Sequence, residues 1–254
     1  MTRKYIWWLA AFTLFPIAVF AVAELNKSYL IWRIRIVDFC DLTLLGPFYA
    51  IALFVFYQII TESIDKKPDL RNTSILVKFA LFFLACLFFE GHGMHMATNA
   101  VSTYIAEVHN YKPLIPPDAW ELLFFLDEFL GHLLVFTALY TMLIIYALVQ
   151  QKVPMHKISA LSFVIISILG VIWGGAQMVA MIEASLPKLM LLYTSVSLLV
   201  NIVLFLRSKE QLFPYLAQRP LILFIASGLS AILLLTPVYY TILGGFLQPS
   251  QIGR

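Results

Sequence analysis

Four of the five histidines in the chain, His92, His95, His109 and His132, lie between positions 90 and 132, interspersed with Glu90, Glu107, Asp118, Glu121, Asp127 and Glu128. On helices, His92, His95 and Asn99 at i, i+3 and i+7 share one face, and Glu128 and His132 at i and i+4 share another. Imidazole and carboxylate groups in that pattern suit metal binding and proton transfer. Three neutral imidazoles plus a water form a common catalytic zinc arrangement, in which the ion lowers the water pKa toward ~7. The ligand set is then His92, His95 and His132. Glu128 or Asp127 is expected as the general base, and Asn99 as the group that donates to a substrate carbonyl or orients His95. Zinc fits the histidine-rich set better than iron, although three carboxylates beside three histidines also suit iron, including a two-iron centre. Glu90 projects roughly 160° away from His92 and serves a different partner. His109 reads as a loop residue near the entrance, His156 as a solvated loop residue on the opposite side, and Ser102 as merely near the site.

The elements that must hold these groups are set by composition. With 61% hydrophobic residues, only 12% charged and a mean hydropathy of +0.89, the chain lies far outside the soluble range. An all-α, polytopic membrane bundle follows, with 1–254 as a single domain. A net charge of +3, dispersed along the chain, excludes a nucleic-acid footprint. The bilayer is the expected partner. Cys40 and Cys86 are too few for a thiolate metal cluster and are read as structural.

Seven spans are expected, at 5–23, 42–61, 75–103, 119–149, 158–182, 189–206 and 221–246. The first begins after Arg3-Lys4; a competing expectation is that residues 1–23 form a signal peptide, because Ala21-Val22-Ala23 has the form of a small-x-small cleavage site. The mixed charges and apolar residues of 24–41 predict a segment on the membrane surface. Pro113, Pro116 and Pro117 break the helix before the fourth span, and Asp118 with Glu121 three residues on predicts a capped restart. With the N-terminus cytoplasmic and the C-terminus exterior, eleven Lys and Arg side chains fall on the cytoplasmic side and six outside, the bias that orients membrane proteins. Gly170-x-x-x-Gly174-Gly175, and the set Gly91, Gly93 and Gly131, permit close helix contact, while Gln177, Asn201 and Thr236-Pro237 read as packing and kink features.

Depth connects the two chemical motifs. His92 and His95 lie roughly 16 and 12 Å below the end of the third span at 1.5 Å per residue, and Glu128 and His132 roughly 14 and 20 Å below the start of the fourth. If the two helices pack side by side, the groups converge beneath the outer surface. One acidic side chain at mid-helix costs about 2.5–3.5 kcal/mol even on the lenient insertion scale, so a bound cation, shared protons or a water-filled cavity is needed to offset several.

In kind of site the chain resembles the seven-span hydrolase superfamily of alkaline ceramidases and progestin/adiponectin-type receptors, which also hold zinc with three histidines. That superfamily places a His-x-x-x-His pair in its last span, where 221–246 has no histidine, so no residue roles carry over. The expectation is an integral membrane metal-dependent enzyme, favoured in the plasma membrane, that hydrolyses an amide or ester bond of a lipid-like substrate admitted from the outer leaflet. Two other classes compete: a proton- or divalent-cation-coupled transporter using the same residues, and a haem protein with His92 or His95 opposite His132 as axial ligands.

Overall fold

A backbone placed in hydrocarbon has no water to satisfy its N–H and C=O groups, and a long apolar run meets that demand by closing its bonds within itself as a helix. The computed structural model describes residues 2–24, 29–31, 34–64, 71–105 and 115–247 and follows that rule. In order the elements are α1 (Thr2–Glu24), a short ladder of β1 (Tyr29–Ile31) and β2 (Ile34–Arg35), α2 (Ile36–Cys40), a π-helical segment Asp41–Leu45 and α3 (Gly46–Ile64). After them come α4 (Arg71–Thr103), α5 (Pro117–Phe124), a second π-helical segment Phe125–Gly131 and α6 (His132–Lys152). The chain continues through α7 (Ala160–Glu183), α8 (Pro187–Ser208), the short α9 (Leu212–Ala217) and α10 (Pro220–Leu243).

Six of the resulting helices are long and apolar enough to cross a membrane: Lys4–Val22, Ser74–Ser102, Pro117–Lys152, Ala160–Glu183, Pro187–Ser208 and Pro220–Leu243. The outward faces carry Phe79, Phe82, Leu161, Leu234 and Ile242, each 69–74% exposed. That much apolar surface is stable only against lipid, so the chain is an integral, multi-pass membrane protein. Of the seven expected spans, 42–61 is the one that falls short, with an apolar run limited to Thr43–Ile59.

Within the 24–41 stretch, expected as a surface segment, Tyr29 pairs antiparallel with Arg35, and Ile31 with Ile34; residues 25–28 and 32–33 lie outside the described residues. One local expectation is corrected. The fourth span restarts without a side-chain cap: Pro116 is the N-cap residue, Pro117 opens the helix and Asp118 sits in its first turn. Proline at the first helical position has no N–H to leave unsatisfied, and Asp118 complements the helix dipole there.

The core is aromatic and draws on both ends of the chain. Tyr5, Leu9 and Phe12 of α1 are at most 2% exposed, and the Phe12 ring meets Phe56 edge-on at 5.5 Å and Phe224 at 6.4 Å. The most extensive helix contact is between α7 and α10, and it forms where Gly174 lies against Gly228: a Cβ at Gly174 would collide with the Gly228 carbonyl oxygen. The glycine run read from sequence therefore does have a packing partner.

Where α6 ends, polar side chains tie the bundle together. Gln150 Oε1 accepts from the backbone N–H groups of Leu221 at 2.8 Å and Ile222 at 2.9 Å, satisfying two donors that the first turn of α10 leaves open. Arg219, counted from sequence only as a flanking charge, is 4% exposed. Its Nη2 donates to Glu210 Oε1 at 2.8 Å and its Nη1 to Glu210 Oε2 at 3.2 Å.

Candidate functional site

The two chemical motifs meet because α4 and the second π-helical segment touch backbone to backbone. A Cβ at Gly91 would stand 2.7 Å from the Gly131 carbonyl oxygen, and one at Gly131 would stand 3.0 Å from His95 Cβ. Only glycine permits that approach. Gly93 is not part of it, since a Cβ there would meet nothing within 4 Å.

One turn along each helix from this crossing, His95 Nδ1 lies 2.7 Å from Asp127 Oδ1. Asp127 is 4% exposed, and the two atoms face each other as an ion pair whose geometry is off the line of an ideal hydrogen bond. The His95 and His132 rings stand 4.2 Å apart between centroids, tilted by 45°. His132 Nδ1 is 3.1 Å from the Glu128 carbonyl oxygen. A carbonyl only accepts, so Nδ1 carries the proton and Nε2 is the basic nitrogen of the neutral His132 ring. Phe136 stacks on the other side of His132, with centroids 6.2 Å apart.

The choice of acid comes from the π-helical segment. In an α-helix Glu128 would share the face of His132, at i and i+4, as expected from sequence; in Phe125–Gly131 the repeat is i to i+5, which turns Asp127 inward beneath His132 instead. Glu128 is half-buried and stands in the electrostatic field of Asp127, His95 and Glu183.

The other expected residues make contacts of their own. His92 is half-buried, with its ring stacked on Phe88 at 6.1 Å and 12°, and it lies near enough to His132 for the two imidazoles to interact electrostatically. Asn99 contributes its backbone carbonyl, which accepts from the Ser102 hydroxyl at 3.1 Å. Ser102 Oγ also lies 3.5 Å from Asp127 Oδ2, which places it closer to the acid than the sequence reading allowed. Its spacing of seven residues from His95, two turns on the same face, was the available signal. Glu90, expected to serve a different partner, is exposed, and His156 is exposed. His109 lies outside the described residues. Cys40 and Cys86 are both free thiols.

Among the described residues no three His, Cys, Asp or Glu side chains are grouped so as to hold one ion. What the site does contain is a buried carboxylate against two imidazoles. In a low-dielectric bundle a net charge is costly, and one proton shared by the two rings makes the trio neutral. Protonating both rings at 4.2 Å would place two cations in contact.

Fold and site together define a multi-pass membrane helical bundle with an acid–histidine cluster in its interior. Comparison of the chain with models of protein families, with curated proteins and with solved structures finds no match.

Proposed function

We propose that the protein moves protons across the bilayer as a proton-coupled transporter, with Asp127, His95 and His132 as its proton-binding site. The observation that carries this reading is the 2.7 Å contact of His95 Nδ1 with the buried Asp127 carboxylate, with the second imidazole against the first. Ionisable chains of this kind inside membrane helices serve as proton relays. Protonated His95 pairs with Asp127 and is neutral as a unit; His132 supplies the neighbouring base to and from which the proton passes. The N-terminus lies in the cytoplasm, by the excess of Lys and Arg on that side, and α3 completes seven crossings, since its 19 residues rise roughly 28 Å against a hydrocarbon core of about 30 Å. The cluster then opens toward the exterior, and a plasma-membrane location would place it under a proton gradient.

The metal-dependent hydrolase expected from sequence is supported by one feature: His95 and His132 each hold Nδ1 against an oxygen, which is how proteins orient imidazoles that coordinate through Nε2. The haem reading has less support with His95 opposite His132, because those rings, 4.2 Å apart, leave no room for a macrocycle between them.

Reconstitution in liposomes with a pH-sensitive dye inside tests the proposal. Under an imposed gradient the wild type is expected to acidify the lumen faster than empty vesicles do. Asp127→Asn and His95→Gln are expected to slow that rate by roughly 100-fold, the scale of losing a positioned proton-transfer group, whereas Glu128→Gln stays close to wild type. A wild type no faster than empty vesicles, or an Asp127→Asn variant as fast as wild type, would sink the reading. Stoichiometric bound metal that disappears in His132→Ala, in a protein that moves no protons, turns the assignment to the hydrolase.

A further inference from the structure

The α8 helix carries Thr194, Ser197 and Asn201 at i, i+3 and i+7, and these are 0, 2 and 5% exposed. Such residues in an apolar span are ordinarily satisfied by a neighbouring carbonyl or side chain. Here Ser197 Oγ and Asn201 Oδ1 have no hydrogen-bond partner among the described residues. The Tyr140 hydroxyl on α6 is within bonding reach of Thr194, in a geometry that leaves both oxygens short of a well-formed bond. The polar groups of α8 follow one face of that helix, the face on which Thr194 meets α6.

Both ends of the seam continue in polar contacts. On the side of the acid–histidine cluster, Thr137 and Tyr193 share a hydrogen bond of 2.6 Å between their hydroxyls, and the Tyr193 ring is 5.6 Å from that of Tyr140. On the other side, Asn201 Nδ2 donates to the Ser197 carbonyl at 2.7 Å, Gln151 Nε2 to the Leu204 carbonyl at 3.3 Å, and the Tyr215 hydroxyl to Gln151 Oε1 at 2.8 Å. From His132 to Gln151 along α6 the rise is roughly 28 Å, close to the whole thickness of the hydrocarbon core.

Spacing says what fits between the oxygens. Thr194 to Ser197 rises roughly 4.5 Å and Ser197 to Asn201 roughly 6 Å, while two O–H···O bonds through one water span about 5.5 Å. The first rise is within reach of one bridging molecule, and the second takes two, each with polar partners along this face.

We propose that the α6–α8 seam holds a file of bound water that conducts protons between the Asp127–His95–His132 cluster and the opposite end at Gln151 and Tyr215. This rests on the proton reading of the site. Each water or hydroxyl oxygen accepts one proton and releases its own on the far side, so one proton enters as one leaves and only O–H bonds change. Asn201 positions waters through its amide and is not itself a relay.

Two measurements test it, one of water and one of flux. Radiolytic footprinting in 18O water oxidises residues beside bound water even where bulk solvent does not reach. Tyr140 is expected to take up label, whereas Tyr146, equally buried but bonded through its hydroxyl to the Leu53 carbonyl, is not. In liposomes, Ser197→Val and Asn201→Leu are expected to reduce dye acidification to the rate of empty vesicles, and Ser197→Thr, which keeps a hydroxyl, to retain it. A Tyr140 as unlabelled as Tyr146 overturns the water file whatever the flux. Label at Tyr140 with undiminished flux in both apolar variants overturns conduction along this seam. Label at Tyr140 in a wild type that moves no protons also overturns conduction, and places the failure in the proton reading and not in the hydration of the seam.

Discussion

The hydroxyl of Tyr215 bonds to Gln151 at 2.8 Å, and the Arg219 guanidinium lies 4.2 Å over its ring. Burial pushes this phenol up to about 12 from 10.0, with Arg219 opposing the rise and Glu210 adding to it. The folded protein holds the proton more tightly than the unfolded chain, so the associated stability is complete below pH 10.0 and is lost as pH rises toward about 12. Thermal unfolding in detergent should therefore show a gap between wild type and Tyr215→Phe that narrows across that window; a gap independent of pH would refute the assignment. Sequence could not identify this residue, because its partners Gln151, Glu210 and Arg219 come from separate helices and loops. Asp127 was legible only as one of two adjacent acids. Which of them faces His132 depended on the local helical repeat, and nothing in Phe-Leu-Asp-Glu-Phe-Leu-Gly announces an i to i+5 turn.

At the scale of elements, the site depends on how closely α4 approaches the π-helical segment ahead of α6. A methyl group at Gly91 would meet the Gly131 carbonyl oxygen at 2.7 Å, backbone that cannot move aside, so Gly91→Ala should destabilise the protein by about 1–3 kcal/mol and separate His95 from Asp127. Gly93→Ala is the contrasting case. It has open space around it and lies inside α4, where alanine is favoured over glycine by up to about 1 kcal/mol. Unfolding midpoints of the two variants in detergent should move in opposite directions; equal shifts would show that the crossing is not what constrains this helix. The sequence motif marked all three glycines alike, since spacing alone does not show which of them faces the neighbouring helix.

At the scale of the whole molecule, the seven-crossing arrangement with a cytoplasmic N-terminus places Asp118 outside and His156 inside. Both are exposed. In a background with Cys40→Ser and Cys86→Ser, Asp118→Cys should react with a membrane-impermeant thiol reagent in intact cells, and His156→Cys only after permeabilisation. The reverse pattern would invert the bundle, and labelling of both from outside would require an even number of crossings between them. The first helix bears on the same question, because Tyr5, Leu9 and Phe12 pack among Phe56 and Phe224. That packing builds α1 into the core.

The membrane class and the approximate spans were decided by the chain alone, because a bilayer requires long apolar runs and such runs close their own backbone bonds wherever they occur. The neighbourhood of the site was legible for the same reason, since His and Asp stand out in an apolar segment. The tertiary structure decided which side chains meet. Gly91 and Gly131 set the crossing, the π-helical repeat turned Asp127 inward, and His92 stacked on Phe88. The polar seam was equally out of reach of a sequence reading, because Thr, Ser and Asn in a membrane helix usually bond to their own backbone. Only the packing of α8 in the bundle shows that Ser197 and Asn201 are buried with oxygen atoms left to satisfy.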